Sequence, residues 1–372
     1  MGGEGEEELV CQIQYSGVIY TATNAIIYQR YPWSNNWEDI TDNLRIEEAD
    51  IEERVNGAGI CNLTISNIDR WAERTIRPGF MYRVILKTPS GHTFPRYDFE
   101  GIIPPDFITS RIGIESDVCL PIVGYYDMFS RTQNIRNLNG ANIISAMALL
   151  NAQVTRGSGV EYMKFAGEVR GVDNVRVPVD MNMDANCKTL MENIRTLIYD
   201  ETDSIYPRFY HLMTVQLQNQ PSLILRREPD IHGTPDIIIE PDYVIDVSRE
   251  DTNNLITSVI IGNKVNWDLR YQNQNFIDKF GRFEIRSEDN EDDGGLKSSY
   301  LKTRKLVRNQ FIPSSNKVKL AGHWQIPLLS LVEFNSDEPG LAKNSIVYGR
   351  RINRSGSTTT ELLLRNLPDE TL

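Results

Sequence analysis

Between Leu9 and about Ser130 apolar residues recur at every second position and are broken by turn residues, the pattern of strands buried on one face. VCQIQYSGVIYTA predicts a hairpin over Ser16-Gly17. NLRIEEADIEERVNGAGICNLTISN predicts two strands joined at Asn56-Gly57, a dipeptide that favours tight hairpins because both residues tolerate positive φ. Tyr82, Val84 and Leu86 alternate with Arg83, Ile85 and Lys87, and the turn PSGH then leads into FPRYDFEGII. Only IDRWAERT reads as helical. An antiparallel barrel or sandwich of roughly six to eight strands is expected.

The period then lengthens. In NGANIISAMALLNAQ the residues Ile143, Ile144, Met147 and Leu150 fall at helical spacing. In MDANCKTLMENIRTLIYD, Cys187, Leu190, Met191, Ile194, Leu197 and Ile198 form one stripe, with Asp184 placed to cap it. Strand-like FYHLMTVQL and SLILRRE follow. From Tyr243 the alternation returns in YVIDVSREDTNNLITSVIIGNKVN, KVKLAGHWQI and LLSLVEF, and in a long closing hairpin that turns at Ser355-Gly356. LKSSYLKTRKLVRN interrupts these strands as a basic amphipathic helix.

The expected fold is therefore mainly β with an α+β insertion, two antiparallel β-barrel domains flanking an α/β domain. The boundaries run as an acidic tail over 1–8, a first barrel over 9–130, the insertion over 131–242, a second barrel over 243–366 and a short tail over 367–372. The second barrel is interrupted by an acidic loop at 287–295 and a helix at 296–309.

Fifty-one acidic residues against 39 basic ones give a net charge of −12. That balance argues against sequence-specific nucleic-acid binding, which relies on a basic surface, and against docking on anionic membrane. The N-terminal MGGEGEEELV lacks the basic and apolar runs of a secretory signal. No stretch reaches the roughly 18 apolar residues of a membrane span, so folding in the cytoplasm without membrane insertion is expected. Cys11, Cys61, Cys119 and Cys187 have no metal-ligand spacing, and three of them (Cys61, Cys119, Cys187) sit in core-like patterns.

Candidate chemistry is sparse. His92 and His232 fall in loop-like stretches, whereas His211 and His323 lie in strand-like runs as packed, hydrogen-bonded residues. No zincin, nucleophile-elbow or Walker motif occurs. Trp33 and Trp37 offer a sugar-stacking platform or a loop folded back on the protein. DNEDDGGLKSSY matches the first half of a calcium loop at Asp289, Glu291, Asp293 and Gly294, but Tyr300 stands where a bidentate Glu belongs. No cofactor, metal or catalytic residue is expected, and the chain reads as a non-enzyme.

NFIDKFGRFEIR, at 275–286, is written like a strand that is kinked at Gly281. SVIIGNKVN precedes it, then come Asp278, Phe280-Gly281-Arg282, Glu284-Ile285 and the basic helix. With the barrel–insertion–barrel order, this arrangement resembles the phage tail baseplate hub family, the contractile-phage central hub and late-control protein D-like proteins. The resemblance covers most of the chain. It makes Asp278, Phe280, Gly281 and Arg282 a structural motif in which the glycine lets a strand turn sharply. It implies a homotrimer whose six barrels adapt a sixfold tail tube to a threefold spike and line part of a channel. The implied partners are other copies of the chain, a tail tube or distal tail protein, a central spike protein and a tape measure protein. The implied location is the virion tail, assembled in host cytoplasm. The alternatives are a hub of a non-contractile tail with a receptor- or wall-facing role, a carbohydrate-binding β-protein, or a cell-wall hydrolase.

Overall fold

The computed structural model describes residues 25–31, 34, 36–66, 76–86, 97–104, 118–127, 164–165, 199–200, 208–217, 220–230, 233–250, 258–262, 269–272, 274, 277–278, 281–288, 315–335, 341, 343–355 and 357–366. In the N-terminal half the strands are β1 (Ala25–Arg30), β2 (Glu38–Asp39), β3 (Arg45–Arg54), β4 (Ile60–Ser66), β5 (Met81–Leu86), β6 (Phe99–Ile102) and β7 (Val118–Gly124). The middle contributes β8 (Lys164–Phe165), β9 (Tyr199–Asp200), β10 (Arg208–Leu217) and β11 (Gln220–Arg227). The C-terminal half holds β12 (Ile237–Ile239), β13 (Val244–Glu250), β14 (Ser258–Gly262), β15 (Leu269–Gln272) and β16 (Glu284–Glu288). It ends with β17 (Ser315–Ala321), β18 (Leu331–Phe334), β19 (Asn344–Ser355) and β20 (Ser357–Asn366).

The alternation read from sequence becomes burial. On β5 Tyr82, Val84 and Leu86 are fully buried while Arg83 and Ile85 are half-buried. Asn56 does take a left-handed φ of 60°, but Gly57 does not, so the β3–β4 hairpin turns through a longer loop than the two-residue type. Cys119 departs from its expected place. β7 alternates so that Val118, Leu120 and Ile122 point inward, which leaves Cys119 exposed, whereas Cys61 is buried.

The larger difference lies in how the two β regions meet. Among the described residues they do not form two separate closed barrels. They join in one sheet of 13 strands along the path β13-β17-β20-β19-β3-β4-β7-β6-β5-β1-β2, with β18 on β19 and β12 on β18. Two cores flank the joint. One gathers Ile27, Ile51, Leu63, Tyr82, Leu86, Phe99 and Ile122 with Ile352 from the far half. The other gathers Ile239, Val318, Trp324, Phe334, Val347 and Leu362. A third, smaller cluster seats Met213 of β10 against Leu329, Leu331 and Ile346. Burying each such side chain contributes about 1.5–3 kcal/mol, so both halves carry their own hydrophobic drive.

The middle strands form a separate sheet, β8-β11-β10-β9, in which β10 and β11 make a hairpin. β15-β14-β16 form a third sheet, with β14 and β16 parallel. The described part of the chain is thus mainly antiparallel β with almost no helix. The helices expected near 143–150, 184–198 and 296–309, the hairpin at Ser16-Gly17 and the acidic loop from 289 onward lie outside the described residues.

Two glycines give opposite expectations for stability. Gly101 faces Gly124 across β6–β7, and a Cβ there would sit 2.3 Å from the Val123 carbonyl oxygen. Gly101→Ala should therefore lower stability by about 2 kcal/mol or more. At Gly57 the nearest atoms to a Cβ are 3.9 Å away, so Gly57→Ala should be neutral or stabilising by up to about 1 kcal/mol. Urea midpoints of the two variants check this, and the opposite order would contradict the glycine packing described here.

Candidate functional site

β3 is rich in acid (Glu47, Glu48, Asp50, Glu52, Glu53) and the second part of β19 in base (Arg350, Arg351, Arg354). Their antiparallel register sets Gly349 opposite Arg54, Arg350 opposite Glu53, Arg351 opposite Glu52 and Asn353 opposite Asp50. Cross-strand pairs of opposite charge favour this register over a slipped one. Arg350, 8% exposed, ion-pairs with Glu53. Arg351 holds the Asp50 carboxylate through Nε and Nη2 at 2.8 and 2.9 Å.

One strand serves both halves because it bulges. β19 pairs with β18 over Asn344–Ile346 and with β3 from Gly349 onward, and its register against β20 shifts between Val347 and Gly349. Tyr348 is the extra residue. A bulge re-aims the side chain it carries, and here the Tyr348 backbone carbonyl accepts from Val55 N at 2.9 Å. At Gly349 the strands come close, since a Cβ would lie 3.2 Å from Leu363 Cβ and 3.3 Å from the Glu53 carbonyl oxygen.

On one side of the joint Asp98 acts as a clasp. It lies just before β6 in the N-terminal half and is 1% exposed. His323 Nε2 meets its Oδ1 at 2.7 Å, and Gln325 Nε2 donates to the same oxygen at 2.9 Å. Leu86 N donates to Oδ2 at 2.7 Å, while Arg350 Nη2 donates to the Asp98 backbone carbonyl at 3.1 Å. Three C-terminal-half side chains thus end on one N-terminal-half residue. Beside it, burial pushes the Glu100 carboxyl up, opposed by Arg83 and by the hydroxyl of Tyr125, which donates to it at 2.7 Å.

On the other side the Tyr348 ring meets the middle hairpin. Buried His211 of β10, Glu228 just after β11 and Arg365 of β20 form one cluster with the half-buried Tyr348. Asn56 Nδ2 lies 2.7 Å from His211 Nδ1. An amide nitrogen can only donate, so Nδ1 accepts and Nε2 carries the proton toward Glu228 Oε1 at 2.5 Å. Tyr348 donates to the same oxygen, and Arg365 Nη1 donates to Oε2. Burial raises the Glu228 pKa, but the Arg365 charge and the hydrogen bonds of His211 and Tyr348 outweigh it and hold the group at about 2. Burial also pushes the Tyr348 hydroxyl up, with Glu228 adding to it, so it stays a donor.

These clusters tie the halves and the hairpin into one body. Their acids and bases pair with one another, although the atoms His323 Nδ1, Arg350 Nε and Arg365 Nε are buried without a hydrogen-bond partner, and among the described residues no group of three His, Cys, Asp or Glu side chains could hold a metal ion.

No family model matches the chain, and no curated protein matches it by sequence. Solved structures do. A tail protein from Neisseria meningitidis superposes with a TM-score of 0.61 at 14% identity, over 92% of this chain and 97% of that one. A 43 kDa prophage tail protein from Shewanella oneidensis gives 0.58 at 11% identity, over 92% of this chain and 100% of that one. This is the fold of phage tail proteins. It also occurs in the Francisella PdpA–VgrG complex, where a chain gives 0.54 at 10% identity over 93% of this chain and 59% of that one.

The motif expected from sequence is partly visible within this fold. Asp278 is exposed in a helical turn with Ile277 and accepts from Gln274 Nε2 at 2.7 Å. Phe280 lies outside the described residues. Gly281 has φ +88°, and its N–H donates to the Ile277 carbonyl at 2.9 Å. Arg282 is exposed. The stretch is therefore not one kinked strand. The glycine closes a helical turn in the left-handed conformation that such ends favour, and β16 begins only at Glu284.

His211 and His323 are packed and hydrogen-bonded, as their strand settings suggested. Trp37 stacks with Arg83 and Arg30, 4.3 and 4.9 Å from its ring centroid, rather than offering a bare platform, and Trp33 lies outside the described residues. Sequence reasoning did not single out Asp98, Glu228, Tyr348 or Arg365. The signal for the joint was there in the complementary charges of 47–53 and 350–354, and in the break of alternation at Tyr348-Gly349.

The Glu228 cluster has a pH signature. A carboxyl held at about 2 when folded and near 4.3 when unfolded adds stability that is complete above the unfolded value and lost as pH falls through the folded one. Glu228→Gln should cost about 3–5 kcal/mol at pH 7 by leaving Arg365 without its counter-ion, and should flatten the loss of stability between about pH 4.5 and pH 2. Urea unfolding across that range reads both effects. An unchanged acid slope would remove Glu228 from the account.

Proposed function

We propose that this chain is a structural, non-enzymatic hub of a phage tail or a related injection machine. The observation that carries this reading is the match of fold over nearly the whole length of two tail proteins, 92% of this chain against 97% and 100% of theirs. Identities of 14% and 11% leave fold, not sequence, as the support. The architecture fits the role physically. Two β halves locked at a fixed angle by β3·β19, Asp98 and the Glu228 cluster make a rigid double block, which is what a load-bearing ring requires.

In this reading three copies close a ring through heterologous contacts. Each copy contributes two β halves of barrel-like character, with the middle segment inserted between them as a separate domain. Six similar blocks then face a sixfold tail tube or distal tail protein, while the threefold ring receives a central spike protein. The tape measure protein would lie in the channel. A neighbour of this fold occurs in a PdpA–VgrG complex, which supports assembly with other machine components. The excess of 51 acidic over 39 basic residues suits a channel that must not hold passing DNA. The ring belongs to the virion tail, assembled in host cytoplasm.

Light scattering coupled to size exclusion tests the assembly, on the chain alone and co-expressed with tube and spike proteins from the same gene neighbourhood. The expected result is three times the protomer mass in at least one of these conditions. Monomer throughout, with no co-purifying neighbour, would overturn the hub reading.

A further inference from the structure

Carboxylates outnumber cations in this chain 51 to 39, so a buried arginine without one stands out. Arg83, Arg350, Arg351 and Arg365 each pair with an acid. Arg30, at the end of β1, is 6% exposed and has no ion pair among the described residues. Its Nη2 meets Met81 Sδ at 2.9 Å, its guanidinium lies 4.9 Å from the Trp37 ring centroid, and its Nε has no acceptor. The Trp37 indole N–H is also buried without an acceptor. Glu100 is near enough for its charge to act on this neighbourhood, but its oxygens are bonded to Arg83 and Tyr125. Two adjoining donors thus lack an acceptor, and unmade hydrogen bonds of buried groups are costly.

The same corner of the N-terminal half continues to the surface. Arg77 is exposed, has no ion pair among the described residues, and stands 5.4 Å over the Phe80 ring. Tyr31, 45% exposed, packs 5.2 Å from Phe80, the residue before Met81. The half-buried Trp37 joins Arg30 to Arg83. Glu38 and Asp39 lie alongside, with Glu38 accepting from Gln29 and Asp39 from Thr41 N. Arginine and large aromatic side chains dominate the binding energy of protein interfaces.

We propose that this corner is a docking surface for a protein partner presenting an acidic segment. Its carboxylates pair with Arg77 and with the Arg30–Trp37 donors, reached by rotation of the half-buried indole, while its apolar side chains lie on Tyr31 and Phe80. Phosphate would also suit arginine. A nucleic acid needs a broad basic surface, which a corner holding exposed Glu38 and Asp39 does not offer, whereas a peptide can place single carboxylates on the arginines. The corner would work in this way inside a hub or outside one.

The test uses fluorescence anisotropy with the full chain. The probes are a labelled peptide alternating Glu and Phe, the same peptide with Gln for Glu, and a labelled thymidine oligonucleotide. The Glu peptide should bind at least about tenfold tighter than the Gln peptide and weaken with salt. Arg77→Gln, at an exposed position, and Trp37→Phe, which keeps a ring but removes the indole N–H, should each weaken it several-fold with circular dichroism unchanged. Equal binding of the two peptides, tighter binding of the oligonucleotide, or unchanged binding by both variants overturns the proposal. If the peptide binds only after Glu4, Glu6, Glu7 and Glu8 are changed to Gln, the chain's own acidic N-terminal stretch is the occupant and the partner protein is overturned.

Discussion

Backbone pairing between β3 and β19 joins segments whose facing ion pair, Glu53 and Arg350, is separated by 297 positions along the chain. The pairing therefore closes a loop that holds most of the polypeptide. The closure entropy grows only slowly with loop length, but contacts this distant make folding slow and dependent on correct registration. The charges on the two strands supply that registration. A one-residue slip would place Arg350 and Arg351 away from Glu53 and Asp50 and turn buried side chains outward. The bulge at Tyr348 completes the device by letting β19 leave β18 and take up β3 without ending.

The charges at the joint set position more than they add net stability. Arg350, Arg365, Asp98 and Glu228 are all nearly inaccessible to water, and removing such groups from water costs nearly what their attraction returns. What they impose is uniqueness. Each has its partners in a different segment, so only one arrangement of N-terminal half, middle hairpin and C-terminal half satisfies them together. The apolar cores on either side supply the driving force, and the polar clusters choose the angle.

Much of the local structure was legible in the sequence because it depends on near neighbours. The alternation at Tyr82, Val84 and Leu86, the pairing of FYHLMTVQL with SLILRRE and the long hairpin turning at 355–356 all appear as strands. Cys119 was misplaced because an apolar run such as VCLPIVG does not say which parity faces the core. The stretch around Gly281 was misread because alternation over a few residues can persist through a helical turn, and only the hydrogen bond from Gly281 N to the Ile277 carbonyl identifies the cap. The joint was missed for a different reason: its complementary charges stand in the sequence, but their pairing is long-range. Nothing local says that an acidic strand near residue 50 faces a basic one near residue 351, or that Asp98 receives His323.

Native-state hydrogen exchange, followed residue by residue in rising urea, addresses most directly whether the two halves form one body. If β3·β19, Asp98 and the Glu228 cluster lock them together, the amides of β4 and β7 in one half and of β17 and β20 in the other should converge on a single opening free energy. The β19 amides paired with β3 should be protected to the same level. Two distinct opening energies, with β19 amides from Gly349 onward exchanging as β17 and β20 open while β4 and β7 stay protected, would contradict the account.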